Sequence, residues 1–221
     1  MAYFRVFRLM QEFNEFITSL RVKLMQPLPG AASQMLMASM RRVMEHGRTK
    51  VPDGVKKGGV LVLLYPSDGK IFIVFMKRTE YPGVHSGQVS FPGGGWEPGD
   101  ESMTKTALRE AEEEIGVDQK TVNILGQLSD LFIPPSNFLV TPVVGYTEQR
   151  PAFIPDPVEV ERILEVSLDH LLLKETRQVR EITVFPDNRM RVPCFYAGGD
   201  IIWGATAMII NELIDVISQG S

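Results

Sequence analysis

The sequence has few of the residues that build covalent staples or soft-metal sites. Its 221 residues include a single cysteine, Cys194. No intramolecular disulfide can form, and the chain fits a reducing, cytoplasmic compartment. Nothing around Cys194 marks a nucleophile, so it reads as a small strand or core residue. Only three histidines are present, His46, His85 and His170, and they lack the spacing of zinc ligands. Excess positive charge is missing too: 23 Lys and Arg stand against 27 Asp and Glu, for a net charge of −4. Broad nucleic-acid binding driven by charge is therefore not expected. Long apolar runs are also absent from the opening stretch, MAYFRVFRLMQEFNEFITSLRVKLMQ, which Arg5, Arg8, Glu12, Glu15 and Arg21 interrupt. It lacks the apolar core of a signal peptide or a membrane span, so no membrane role is expected. No internal repeat or low-complexity tract is visible.

What is present suffices for one packed domain with an extension, since 44% of the residues are hydrophobic. Phe4, Phe7, Met10, Phe13, Ile17 and Leu20 recur at spacings of three and four, the pattern of an amphipathic helix. Its apolar face is expected to pack on its own domain; a partner subunit, in a homodimer, is the main alternative. Leu28-Pro29-Gly30 ends that helix, and SQMLMASMRRVMEH predicts a second. The basic run Arg41, Arg42, Arg48 and Lys50 reads as a solvated helix end rather than a phosphate site.

The period then changes. GGVLVLLYP and KIFIVFMKR are strand-like runs joined by Ser67-Asp68-Gly69, a hairpin signal. Further strands are predicted at VNILGQLSDLFI and FLVTPVVGYT, and EVERILEVSLDHLLL mixes strand and helix. VREITVF and RVPCFY make a strand pair around Pro186-Asp187-Asn188, and the helix ATAMIINELIDVIS follows. The pattern predicts a layered α/β domain with a mixed sheet over 51–221, preceded by a helical extension over 1–50.

The densest chemistry lies at FPGGGWEPGDESMTKTALREAEEEIGV. Residues 100–116 read as a helix with Asp100 as N-cap and Gly116 ending it. Met103, Ala107, Leu108, Ala111 and Ile115 gather on one side of the wheel. Glu110, Glu113 and Glu114 share an arc elsewhere, whereas Glu112 points away. Like charges three and four residues apart repel. Arg109, four residues before Glu113, offsets part of that repulsion. A hard divalent cation offsets more, since Mg²⁺ takes oxygen ligands and is completed by water and substrate phosphates. The competing reading is a solvated acidic helix. Just upstream, Gly93, Gly94 and Gly95 can bring bare backbone N–H groups up to an anion. A glycine loop followed by a carboxylate helix suits a phosphate and its metal.

These residues resemble the Nudix hydrolase family, whose box runs G-x5-E-x7-R-E-U-x-E-E-x-G-U with U apolar. The chain has Gly95, Glu101, then Arg109 to Val117, with each specified position filled. The resemblance implies a Nudix-type α-β-α sandwich with a mixed β-sheet. It implies Glu110, Glu113 and Glu114 as ligands of Mg²⁺ or Mn²⁺, and Arg109 with Glu101 as the pair that orients loop and helix. It also implies Gly94 as a possible source of a carbonyl ligand, and hydrolysis of a diphosphate linked to another moiety. Candidates for the base are Glu113, Glu159, Glu161 and Glu165.

MKRTEYPGVHSGQVSFPGGG is similar to the segment that marks the coenzyme A pyrophosphatase branch. Arg78, Gly87 and Phe91-Pro92-Gly93-Gly94 match it, while Thr79 stands where Ser or Ala is usual and Gly83 where a second Arg is. The branch implies coenzyme A or a derivative as the small-molecule diphosphate substrate, cleaved to 3′,5′-ADP and 4′-phosphopantetheine. Arg78 and the amides of Gly93, Gly94 and Gly95 are then candidate phosphate contacts. Tyr81, Phe138 and Trp203 could stack on adenine, though aromatics beside strands are more often core. Gly83 leaves ADP-ribose, NADH or a nucleoside triphosphate as alternatives. A non-catalytic nucleotide sensor is a third reading, which the intact set of glutamates disfavours.

Overall fold

Residues 2–45, 51–80, 85–184 and 188–219 are described by the computed structural model. The amphipathic stretch forms α1, Ala2–Leu24. Phe13, Ile17, Leu20 and Leu24 are buried in a cluster shared with strand and helix side chains from the rest of the chain, so α1 packs on its own domain. The side chains of Phe4 and Phe7 lie outside the described residues. The second helical pattern does not form one helix. It divides into α2, Ala31–Gln34, a 3-10 turn at Met35–Met37 and α3, Met40–Glu45, because Ala38 is extended (ψ 150°) and interrupts the ladder. Arg48 and Lys50 of the basic run lie outside the described residues.

The hairpin forms as the sequence predicts. β1, Lys56–Ser67, pairs with β2, Lys70–Arg78, and Asp68 and Gly69 turn the chain with φ of 47° and 79°. There follow β3, Val89–Ser90; β4, Gly93–Gly95; α4, Met103–Ile115; β5, Asn123–Gln127; β6, Leu131–Ile133; and β7, Phe138–Tyr146. β8, Val160–Ser167, runs straight into α5, Leu168–Leu172, which the Ser167 hydroxyl caps. β9, Arg177–Val184, β10, Asn188–Ala197, and β11, Asp200–Trp203, make a separate three-stranded sheet before α6, Gly204–Ser218. Cys194 is buried on β10, as a small strand residue.

The main sheet has eight strands in the order β3-β2-β1-β7-β5, with β4 on β1, β6 on β7 and β8 on β2. β1 and β7 are parallel and the other pairs antiparallel, so the sheet is mixed. Alternate residues of β1 serve two cores. Leu61, Leu63 and Tyr65 pack on Ala107, Leu108, Ala111 and Ile115 of α4. Val62 and Leu64 join Ile73 and Phe75 against α1 and α6. A strand covered on both faces reads as a continuous apolar run, hence the unbroken VLVLLY. The result is an α-β-α sandwich.

A buried carboxylate ties the layers together. Glu212 of α6 is fully buried and accepts from Gly30 N at 3.1 Å, Gln34 Nε2 at 2.8 Å and Ser129 N at 3.2 Å. Beside it, the Asn211 amide donates to Ser33 O and Oγ. The segment after α1 is thereby fixed to α6 by charge-assisted bonds.

Candidate active site

The N-cap of α4 is Ser102, not Asp100: its hydroxyl accepts from Lys105 N, and Ser102 directly precedes the first helical residue. Asp100 has a different task. Its carboxylate accepts from Arg109 Nε at 3.2 Å, Arg109 Nη2 at 3.1 Å, Thr106 Oγ1 at 2.9 Å and Glu97 N at 3.1 Å. The Arg109 guanidinium above all holds the Asp100 carboxyl down to about 2. At the other end Gly116, at φ 70°, closes the helix as predicted and donates to Glu112 O.

Arg109 is the hub. Besides Asp100 it reaches Glu110 Oε1 and Glu113 Oε2, both at 3.0 Å, and donates to Gly95 O at 3.0 Å. Glu101, expected to orient loop and helix together with Arg109, is exposed and makes no bond to it; the carboxylate that Arg109 grips is that of Asp100. The Asp100 carboxylate lies under the helix start, where the guanidinium is, while Glu101 has turned outward.

The three convergent glutamates sit at different depths. Glu114 is 3% exposed; its Oε2 accepts from Gly93 N at 2.7 Å and its Oε1 faces Arg78 Nη1 at 3.2 Å. Burial pushes Glu114 up to about 7 in spite of these two partners. Glu110 is raised as well, by burial first. It lies so close to Gly94 that a Cβ there would fall 2.5 Å from its carboxylate. Glu113 stands at the rim with its side chain 59% exposed. Glu112 is an exposed bystander, bonded to Gln119, as the wheel predicted. The candidate phosphate amide of Gly93 is already donated to Glu114; at Gly95 it is the carbonyl, accepting from Arg109, whose partner is fixed.

Arg78 also meets Glu159, at 3.4 Å. The segment before β8 brings that residue in by docking on the last turn of α4, with Ile154 N donating to Ile115 O and Asp156 N to Glu114 O. Of the other candidate bases, Glu161 is paired with Lys77, and Glu165 is held by Tyr65 and Arg150. The Ser90 hydroxyl, on the strand beside Met76, is buried with no hydrogen-bond partner. Among the described residues no group of three or more His, Cys, Asp or Glu side chains is already gathered as a metal cage. The donors still fit a hard cation in kind: two inward carboxylates, with a bare glycine backbone against one of them, are what Mg²⁺ takes from a protein. A depression of about 830 Å³ runs along α1 from Met10 to Lys23, away from these residues.

A family model described as NUDIX domain matches residues 55–186. The chain belongs to the Nudix family. Among similar proteins, "Nudix hydrolase 22, chloroplastic" of Arabidopsis thaliana is 36% identical over 170 residues, 74% of this chain and 56% of that protein. "Uncharacterized Nudix hydrolase NudL" of Yersinia enterocolitica is 32% identical over 205 residues, 93% of each. The chain thus spans just over half of the plant relative and nearly all of the bacterial one. Among solved structures, a MutT/nudix family protein from Enterococcus faecalis has a TM-score of 0.49 at 17% identity, over 85% of this chain and 74% of that one. The Nudix box maps onto β4, the turn at 96–102 and α4, so Gly95, Arg109 and the glutamates meet where strand and helix meet. Outside the box, Arg78 comes from the end of β2, Gly87 takes φ 64°, and Gly83 and Tyr81 lie outside the described residues. No helix among the described residues is long and apolar enough to cross a membrane.

Proposed function

We propose that this Nudix hydrolase cleaves the diphosphate of coenzyme A or a derivative, giving 3′,5′-ADP and 4′-phosphopantetheine or its acyl form, with Mg²⁺ or Mn²⁺. The supporting observation is the place of Arg78. A residue that belongs to the coenzyme A-branch segment, not to the Nudix box, stands 3.2 Å from the box carboxylate Glu114. There the guanidinium would be within reach of a diphosphate lying beside the glycine strand β4.

Glu110, Glu113 and Glu114 are the carboxylates that would hold the cation, with the backbone of Gly94 beside Glu110. A divalent ion held there would supply positive charge to neutralise the diphosphate and make the attacking water more acidic. Arg109, fixed on Asp100, keeps Glu110 and Glu113 aimed. Arg78 binds the phosphate that carries the developing charge. Glu113, at the rim, and Glu159, beside Arg78, are our candidates for the base that takes the proton of the attacking water, supported by their nearness to the two arginines. Gly83, in place of a second arginine, favours the alternative of ADP-ribose, NADH or a nucleoside triphosphate.

Incubation of the purified protein with Mg²⁺ or Mn²⁺ and each substrate, with products resolved by chromatography, separates the readings. Faster release of 3′,5′-ADP from coenzyme A than of AMP from ADP-ribose is expected, and the reverse order overturns the coenzyme A reading. Glu114→Gln is expected to lower turnover of every diphosphate by about 10² or more; unchanged turnover would remove the site itself.

A further inference from the structure

Between β7 and β8 the chain crosses the end of α4 on residues 154–159, all of them exposed except Asp156. Pro155 and Pro157 have no N–H to give, so four amides remain, at Ile154, Asp156, Val158 and Glu159. All four are used. Ile154 N and Asp156 N donate at 2.9 Å to Ile115 O and Glu114 O, two of the carbonyls that a helix end leaves open. The other two amides go to a single side chain. Asp156 Oδ1 accepts from Val158 N at 2.7 Å and from Glu159 N at 3.3 Å, an Asx turn. Val160 N donates to Asp156 O at 2.9 Å and closes the turn from behind. Gly116 makes room for the crossing, since a Cβ there would stand 2.8 Å from Ile154 Cβ.

Asp156 therefore joins both sides of the carboxylate site without reaching into it. Its N–H fixes it to the backbone of Glu114, whose carboxylate faces Arg78 Nη1 at 3.2 Å. Its own carboxylate fixes Glu159, whose carboxylate faces Arg78 Nη2 at 3.4 Å. Thr79, next to Arg78, completes the circuit: its N donates to Glu159 O at 3.1 Å and its Oγ1 to Val158 O at 2.8 Å. The Glu159 side chain is 55% exposed, and an exposed ion pair holds a long side chain weakly. What aims it is the backbone, held by Thr79 at its carbonyls and by Asp156 at its amides.

We propose that Asp156 is a positioning residue for the diphosphatase reaction and acts through Glu159. It holds Glu159 beside Arg78, at a fixed place relative to the box carboxylate Glu114. The assignment rests on the diphosphate-hydrolase reading and gives Glu159 a part in it. The turn needs an acceptor oxygen at Oδ1, not a charge.

The test is a double-mutant cycle on kcat and KM with Mg²⁺, using whichever of coenzyme A and ADP-ribose the wild type cleaves faster. Asp156→Ala is expected to lower kcat about tenfold, with KM changed less than about twofold. Asp156→Asn keeps the acceptor oxygen and is expected to stay within about twofold of the wild type. Glu159→Gln is expected to lower kcat by about 10². Asp156→Ala added to Glu159→Gln is expected to lower it no further, because the residue it would position is already gone. A residue that only stabilises the fold would give losses that multiply, to about 10³. Multiplying losses, an Asp156→Asn protein as slow as Asp156→Ala, or wild-type kcat in Glu159→Gln overturns the proposal. So does an Asp156→Ala protein that fails to fold, whose role would then be structural. Each of these outcomes leaves the diphosphatase reading standing, since hydrolysis by the wild type decides that reading. Hydrolysis of neither substrate by the wild type overturns the reading and the proposal with it.

Discussion

The chemistry of single residues here is decided by depth. Gly94 has no side chain because Glu110 occupies the space, so Gly94→Ala is expected to displace that carboxylate and lower turnover by about 10², with the circular dichroism spectrum unchanged. Asp100 supports a pH prediction. Its folded value lies near 2, below the ordinary 3.8, so its contribution is complete above about pH 4 and disappears as the pH falls through 2. Denaturant unfolding of the wild type and Asp100→Asn is therefore expected to differ at neutral pH and to converge between about pH 4 and 2. A gap that stays constant across that range would deny the Arg109 pairing its role. The bystander status of Glu112 was legible because a wheel gives direction. The exposure of Glu113 was not, because a wheel is silent about how far the neighbouring loop covers the helix.

Among elements, α4 shows what local rules reach and where they stop. Its apolar face and its Gly116 end followed from spacing and from the need for a left-handed residue. Its start was misplaced by two residues, since Asp100 and Ser102 are both good caps and only the three-dimensional position of Arg109 decides between them. Ser102→Ala is expected to cost about 1 kcal/mol of stability in denaturant unfolding, with metal-dependent turnover changed less than twofold. The broken helix at 31–45 was illegible for a related reason: its apolar period is helical, but the backbone at Ala38 is extended. The hairpin at Ser67-Asp68-Gly69 was legible because Asp and Gly tolerate the positive φ that its turn requires.

At the scale of the whole molecule, the two-sided burial of β1 makes the helices on both faces parts of one structure. Leu20→Ala on α1, 2% exposed, is expected to destabilise by about 2–5 kcal/mol, like any large-to-small change in a core. An exposed position of the same helix, Val22→Ala, is expected to change stability by less than about 0.5 kcal/mol. Equal effects would mean that α1 is an appendage. The layer order was legible from the alternation of strand and helix patterns. The pairing of particular strands, such as β1 with β7 across some eighty residues of chain, was not, because periodicity carries no information about partners.

Glu212 has a consequence for the order in which the chain matures. Its three donors, two backbone N–H groups at Gly30 and Ser129 and the Gln34 side-chain amide, are made long before the helix that accepts from them. During synthesis the donors at 30–34 stay on water until residues 204–218 emerge to replace it. The α4 side of the sheet, whose strands and helix lie between 56 and 167, can pack first. The face that receives α6 closes last, so a nascent chain arrested before residue 204 would present that apolar face to chaperones.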